Sequence, residues 1–112
     1  AGVERIECTD DGSAGHHGSA IELLYEALGH ASGPSELYLC GPHGMLHAGH
    51  ALAVRRGVPA WVSLEQTMGC AVGACMGCVV RMRGPSDAPA RYERVCTEGP
   101  VFDSREVAWE PT

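Results

Sequence analysis

A chain of 112 residues, with 14 Asp and Glu against 8 Lys and Arg, can enclose one small domain or two very small halves around a modest core. The net charge of −6, with no basic run and only 5% aromatic residues, argues against nucleic acid binding, which draws on a clustered basic face. No apolar run approaches the roughly 20 residues needed to span a bilayer, so no membrane segment is expected, and the sequence opens Ala-Gly-Val-Glu-Arg without a targeting signal.

In chain order, residues 3–8 alternate apolar and polar and predict a short strand. Residues 9–18, Thr-Asp-Asp-Gly-Ser-Ala-Gly-His-His-Gly, are a loop of turn formers. Ser19 and Glu22 then stand at capping-box spacing and open a helix. Ile21, Leu24, Tyr25 and Leu28 share one face of it, and Gly29 is a natural stop. Residues 36–40 predict a buried strand, Gly41-Pro42 a turn, and residues 43–56 a helix ended by Gly57, with Arg55 and Arg56 at its negative end. Residues 60–64 predict a third strand. Strand–helix–strand–helix–strand with short connections reads as a parallel sheet.

After Leu64 the character changes. Residues 68–78, Met-Gly-Cys-Ala-Val-Gly-Ala-Cys-Met-Gly-Cys, hold three cysteines in a glycine-dense loop, and Cys96 follows at a distance. C-x4-C-x2-C…C is the plant-type spacing of a [2Fe–2S] cluster, in which two sulfide-bridged irons take two thiolates each. Gly69, Gly73 and Gly77 are expected to supply positive φ and to let backbone N–H groups approach the sulfurs. Two alternatives remain on spacing alone. A structural zinc site would more naturally use two C-x2-C pairs, and only Cys75 and Cys78 make one. Six cysteines could form disulfides, but no secretory signal precedes them; free thiols and a cluster motif indicate a reducing, cytoplasmic setting. Residues 79–83 and 92–96 predict an antiparallel hairpin that returns Cys96 to the loop, across a Pro- and Ser-bearing turn at 84–90. Residues 106–109 predict a short terminal strand.

Several motifs now stand in a recognisable order: Thr9-Asp10-Asp11-Gly12-Ser13, Cys40-Gly41-Pro42, Met45-Leu46, Val62-Ser63-Leu64-Glu65, the cysteine loop, and Arg94-Val95-Cys96-Thr97-Glu98-Gly99-Pro100-Val101-Phe102. In these the chain resembles the electron-transfer subunit of the type-B dihydroorotate dehydrogenases, over its C-terminal portion only. The resemblance implies an α/β fold: residues 1–64 as the C-terminal half of a ferredoxin-reductase-like nucleotide-binding domain, a short parallel sheet with helices, and residues 65–112 as a small, mainly antiparallel cluster domain. It implies a route from NADH through FAD and a [2Fe–2S] cluster to the FMN of a partner catalytic subunit, within a heterotetramer of pyrimidine biosynthesis, this chain being no catalyst alone. FAD and NAD belong to the longer relatives, whose flavin-binding barrel and glycine-rich phosphate loop are missing here. A related NAD(P)H-dependent ferredoxin or sulfide oxidoreductase subunit, a stand-alone ferredoxin-like carrier and a zinc module are the other readings.

Residue by residue, the resemblance makes Cys70, Cys75, Cys78 and Cys96 the cluster ligands. Cys40, Gly41 and Pro42 match the motif near the nicotinamide, at the C-terminal end of a strand where open α/β sheets bind ligands. A small buried apolar residue is the plainer account of Cys40. Asp10 and Asp11 match the adenosine-side loop, where a carboxylate can bond ribose hydroxyls and repel a 2′-phosphate; an Asx turn is the plainer account. His43, His47 and His50 lie along one helix face and more simply face solvent than bind metal. Trp61 and Trp109 are expected as packing anchors.

Overall fold

The computed structural model describes residues 2–84 and 91–109. Contacts gather the chain into two compact units, Ala1–Ser35 and Glu36–Thr112, so the functional boundary expected after Leu64 falls inside the second of them.

In the first unit, β1 (Cys8–Thr9) and β2 (His16–His17) pair in parallel, Cys8 with His16 and Thr9 with His17. The strand expected over residues 3–8 does not form: only Cys8 of that stretch is in a ladder. Alternation creates a strand only where a partner exists, and the one partner that returns here is two residues long. The intervening loop is tied by Thr9, whose Oγ1 donates to the Ala14 carbonyl at 3.0 Å and whose own carbonyl accepts from Gly18 N at 3.0 Å. Helix α1 (Ala20–His30) starts on the expected capping box: Glu22 N donates to Ser19 Oγ at 3.2 Å, and Ser19 N to Glu22 Oε2 at 3.3 Å. Gly29 does not stop it; the helix runs one residue further and ends at Ala31, which turns extended. Ile21, Leu23, Leu24 and Leu28 are half-buried, whereas Tyr25, expected on their face, is exposed.

The second unit begins with β3 (Leu37–Cys40), α2 (His43–Arg56) and β4 (Ala60–Ser63), at the predicted places. β3 and β4 are parallel, with Leu37 opposite Ala60 and Cys40 opposite Ser63. α2 presents Leu46, Gly49, Leu52 and Ala53 as its buried stripe. It ends at Gly57, which takes the left-handed conformation (φ 66°) and returns its N–H to the Ala53 and Val54 carbonyls. β3 is buried on one face only: Leu37 and Leu39 are inside, Tyr38 and Cys40 outside.

The sheet differs from the expected three parallel strands. β1 is not in it; its third member is β7 (Val101–Asp103), antiparallel to β4, with Val62 opposite Phe102. Three residues are too short a run for alternation to reveal a strand, which is why β7 escapes sequence reading. The hairpin is present as β5 (Val79–Met82) and β6 (Arg91–Arg94), with Val79 opposite Arg94 and Met82 opposite Arg91. Most of the turn predicted at 84–90 lies outside the described residues. The terminal strand expected at 106–109 is reduced to one antiparallel bridge, Val107 to Met82. The most deeply buried side chains, Leu46, Leu52, Val62, Met82 and Ser104, come from both sides of position 65.

Candidate functional site

The cysteine loop has no regular secondary structure from residue 65 to 77. Its order comes from sulfur. Cys70 Sγ accepts three backbone N–H groups, from Ala74 at 3.3 Å and from Val72 and Cys75 at 3.4 Å. Cys75 Sγ accepts a fourth, from Gly77 at 3.3 Å. Of the three glycines, only Gly73 takes positive φ (85°); the other left-handed positions are Ala71 and Met76, both at φ 59°. Gly69 and Gly77 are required for a different reason. A Cβ on them would stand 3.0 and 3.3 Å from Cys75 Sγ, so a side chain would crowd that thiol. Non-glycine residues in this region cost about 1–3 kcal/mol each and persist only where surrounding contacts over-determine them, as the N–H···S bonds do here.

The four predicted thiols are brought together as two pairs. Cys75 N donates to Cys70 Sγ at 3.4 Å, and Cys96 neighbours Cys78. The hairpin explains the second pair: Val95 N donates to the Cys78 carbonyl at 3.2 Å, just past the Val79–Arg94 rung, which sets Cys96 beside Cys78. The N–H cradle holds the Cys70 thiol down to about 6, because each donor favours the thiolate. Cys78 is also lowered, first by the Cys96 backbone N–H, whereas Cys96 is raised by its shared bond to Cys78. Cys78 is buried, Cys70 and Cys96 half-buried, and Cys75 exposed. Among the described residues no three His, Cys, Asp or Glu side chains converge as holders of a single metal ion. Two soft donors for each of two metals is the set a binuclear iron–sulfur group uses, and thiolates favoured by backbone N–H groups are ready ligands for it.

Sequence reasoning missed the residues that tie loop to hairpin. Arg94 Nη1 donates to the Gly73 carbonyl at 2.6 Å, and Nη2 donates to Glu98 Oε1 at 2.6 Å. Glu98 also accepts from the Arg94 backbone N–H. The guanidinium holds the Glu98 carboxyl down at about 2. The signal lay in the i, i+4 charge pair flanking Cys96, which on a surface usually means little.

Other predicted residues have plainer surroundings. Asp11 closes an Asx turn, its Oδ1 accepting Ser13 N at 2.9 Å, which lowers its carboxyl; Asp10 is exposed beside it. Cys40 is exposed at the C-terminal end of β3 rather than buried. A Cβ at Gly41 would run into the terminal methyl of Met45, and Pro42 is the N-cap of α2. His43, His47 and His50 gather around Trp109, with ring centroids 5.3–5.5 Å away, and His50 Nδ1 meets Ser104 Oγ at 2.9 Å. Trp109 is thus the expected anchor, held by its Nε1 donating to the Ser104 carbonyl at 2.9 Å, and the histidines are its packing partners. Trp61 donates to Glu36 Oε1 at 2.6 Å. No helix among the described residues is long and apolar enough to cross a membrane.

A thiol-lined loop closed by a hairpin is an arrangement that iron–sulfur proteins use. Residues 65–108 match the family described as the iron–sulfur cluster binding domain of dihydroorotate dehydrogenase B. Over most of its length the chain is similar to the electron transfer subunits of dihydroorotate dehydrogenase B (NAD(+)). It is 42% identical over 99 residues to that of Enterococcus faecalis, covering 88% of this chain and 37% of that protein. The Desulforamulus reducens subunit is 38% identical over 108 residues (96% and 40%), and that of Geobacillus thermodenitrificans 44% over 105 residues (93% and 37%). The chain therefore spans about two fifths of the length of these relatives. Among solved structures, a chain of the NADH-dependent reduced ferredoxin-NADP oxidoreductase, reported for flavin-based electron bifurcation, is 31% identical with a TM-score of 0.69, over 88% of this chain and 33% of that one.

Proposed function

We propose that this chain is the part of an electron-transfer subunit that relays electrons from NADH, through FAD and a [2Fe–2S] cluster, to the FMN of a dihydroorotate dehydrogenase catalytic subunit in pyrimidine biosynthesis. The observation that carries the reading is the cradle of backbone N–H groups on the Cys70 and Cys75 sulfurs, with Cys96 returned to Cys78 by the β5–β6 hairpin, inside the segment that matches the cluster-binding family. Cys70, Cys75, Cys78 and Cys96 are the ligands. The cluster, when bound, supplies transfer of single electrons. This chain's residues do the rest. The N–H groups of Val72, Ala74, Cys75 and Gly77 point at ligand sulfur, stabilise negative charge there and so tune its potential. Exposed Cys75 marks the side from which a redox partner is met, and buried Cys78 the side closed to water.

Residues 65–112 are the cluster domain and residues 1–64 a partial nucleotide domain. Cys40, Gly41 and Pro42 lie toward the nicotinamide, and Asp10 and Asp11 toward the ribose. FAD and NAD are held by the longer protein, the partner subunit completes a heterotetramer, and the setting is the reducing cytoplasm. A second reading, an NAD(P)H-linked ferredoxin oxidoreductase subunit, is favoured by the likeness to the ferredoxin-NADP oxidoreductase.

Anaerobic reconstitution with iron and sulfide, followed by metal and sulfide analysis, is the test. The expected result is about two irons and two sulfides per chain, with the reddish-brown absorbance of that group. One zinc per chain and no sulfide overturns the reading. Electron delivery to a dihydroorotate dehydrogenase catalytic subunit rather than to ferredoxin, in the whole protein, separates the two redox readings.

A further inference from the structure

We propose that Arg94, braced by Glu98, is a positioning residue that holds the three-cysteine loop in register with Cys96. The inference rests on the cluster reading above, and it adds two residues to the site that bind no metal themselves.

The geometry is specific. Cys96 comes from a different segment than Cys70, Cys75 and Cys78, so something must fix the distance between the two. The β5–β6 ladder fixes it for Cys78 alone, through the Val95 N to Cys78 carbonyl bond. No backbone rung of that ladder reaches the far side of the loop, where Gly73 lies between Cys70 and Cys75. Arg94 does. One arm of its guanidinium bonds the Gly73 carbonyl at 2.6 Å, while Nη2 and Nε engage the Glu98 carboxylate at 2.6 and 3.2 Å. Glu98 is fixed in turn by the turn that carries Cys96: its N–H donates to the Arg94 carbonyl at 2.8 Å, and its carboxylate accepts the Arg94 N–H. A planar, forked, permanently charged donor suits this double task, and a lysine ammonium does not. Gly73 completes the contact. A Cβ there would stand 2.8 Å from Thr97 Cγ2 and 3.1 Å from Arg94 Nη1, so the loop can approach the strut only with glycine at this position.

The test uses the whole protein reconstituted with iron and sulfide. Iron release to a chelator is followed by loss of visible absorbance, and the reduced protein is examined by EPR. Arg94→Gln is expected to release iron about 10–100-fold faster, the usual cost of losing an outer-shell contact, and to shift the EPR signal. Arg94→Lys is expected not to restore the wild-type rate, and Arg81→Gln, an exposed arginine on the same hairpin, to match wild type. Wild-type release and EPR in Arg94→Gln overturn the proposal, and so does full rescue by lysine. Should Arg94→Gln fail to fold, Glu98→Gln weakens the same brace from its far end. Fast release there supports the proposal, and wild-type release overturns it. A wild-type protein that takes up no iron sinks the cluster reading itself; one that takes it up while Arg94→Gln behaves identically sinks only the strut.

Discussion

The β3–α2–β4 half and the cysteine loop are ordered by opposite means. The first is held by apolar burial: Leu46, Leu52 and Val62 are essentially inaccessible, and two strands and a helix close over them. Between residues 65 and 77 there is no buried side chain at all. The loop keeps its shape through N–H groups bonded to sulfur and through one guanidinium on its carbonyl. The difference teaches what each region depends on. A packed half has its stability before any cofactor arrives, whereas a loop organised around ligand atoms gains most of its stability from what those atoms bind.

The sharpest way to break that contrast is to remove a ligand. Cys75→Ser is expected to abolish the cluster absorbance, while Cys8→Ser, in β1, leaves it intact. Retained iron and sulfide in the first variant removes the ligand assignment. Amide exchange on the same pair sharpens it: loss of iron is expected to unprotect residues 68–78 and to spare α2.

A smaller effect comes from the packed side. Leu52→Ala, at a position 1% exposed, is expected to cost about 2–5 kcal/mol in a denaturant melt. It should leave the visible spectrum of the folded protein unchanged. A changed spectrum at full folding means that the two regions are not independent in the way described.

The smallest effect is electrostatic. Asp103, on β7, is held below its ordinary carboxylate value, first by the Arg105 side chain. A carboxylate lowered in the folded state adds stability above its unfolded value, and that stability fades as pH falls through the folded one. Asp103→Asn is therefore expected to cost at most about 1 kcal/mol near neutrality. The difference from wild type should shrink in melts taken below pH ~4. A difference that persists undiminished in acid assigns the loss to packing instead.

What the amino-acid order disclosed follows the same division. Helix α2 was readable to the residue, because its apolar stripe and Gly57 act locally, and so was the capping box at Ser19 and Glu22. The four thiols could be proposed as ligands because ligand spacing is chemistry written along the chain. β7 and the shrunken β1 were not, since whether two or three residues become a strand depends on a distant partner's backbone. The roles of Gly69 and Gly77 were half readable: the need for glycine was plain, but its cause is the nearness of Cys75 Sγ rather than a left-handed turn. Arg94 was invisible as a strut because its acceptor is a carbonyl 21 positions away, and carbonyls carry no sequence signature.

Because β7 lies downstream of Cys96 yet pairs with β4, the cysteine-bearing segment is not a cassette that can be excised or transplanted along the boundary at residue 65. Severing the polypeptide there would strip β4 of its outer neighbour on residues 61–63 and leave a raw edge, the kind of surface that recruits other chains into aggregates. Evolutionary shuffling of this cysteine-bearing segment would therefore have to carry the β4 strand along with it, or supply a substitute for β7.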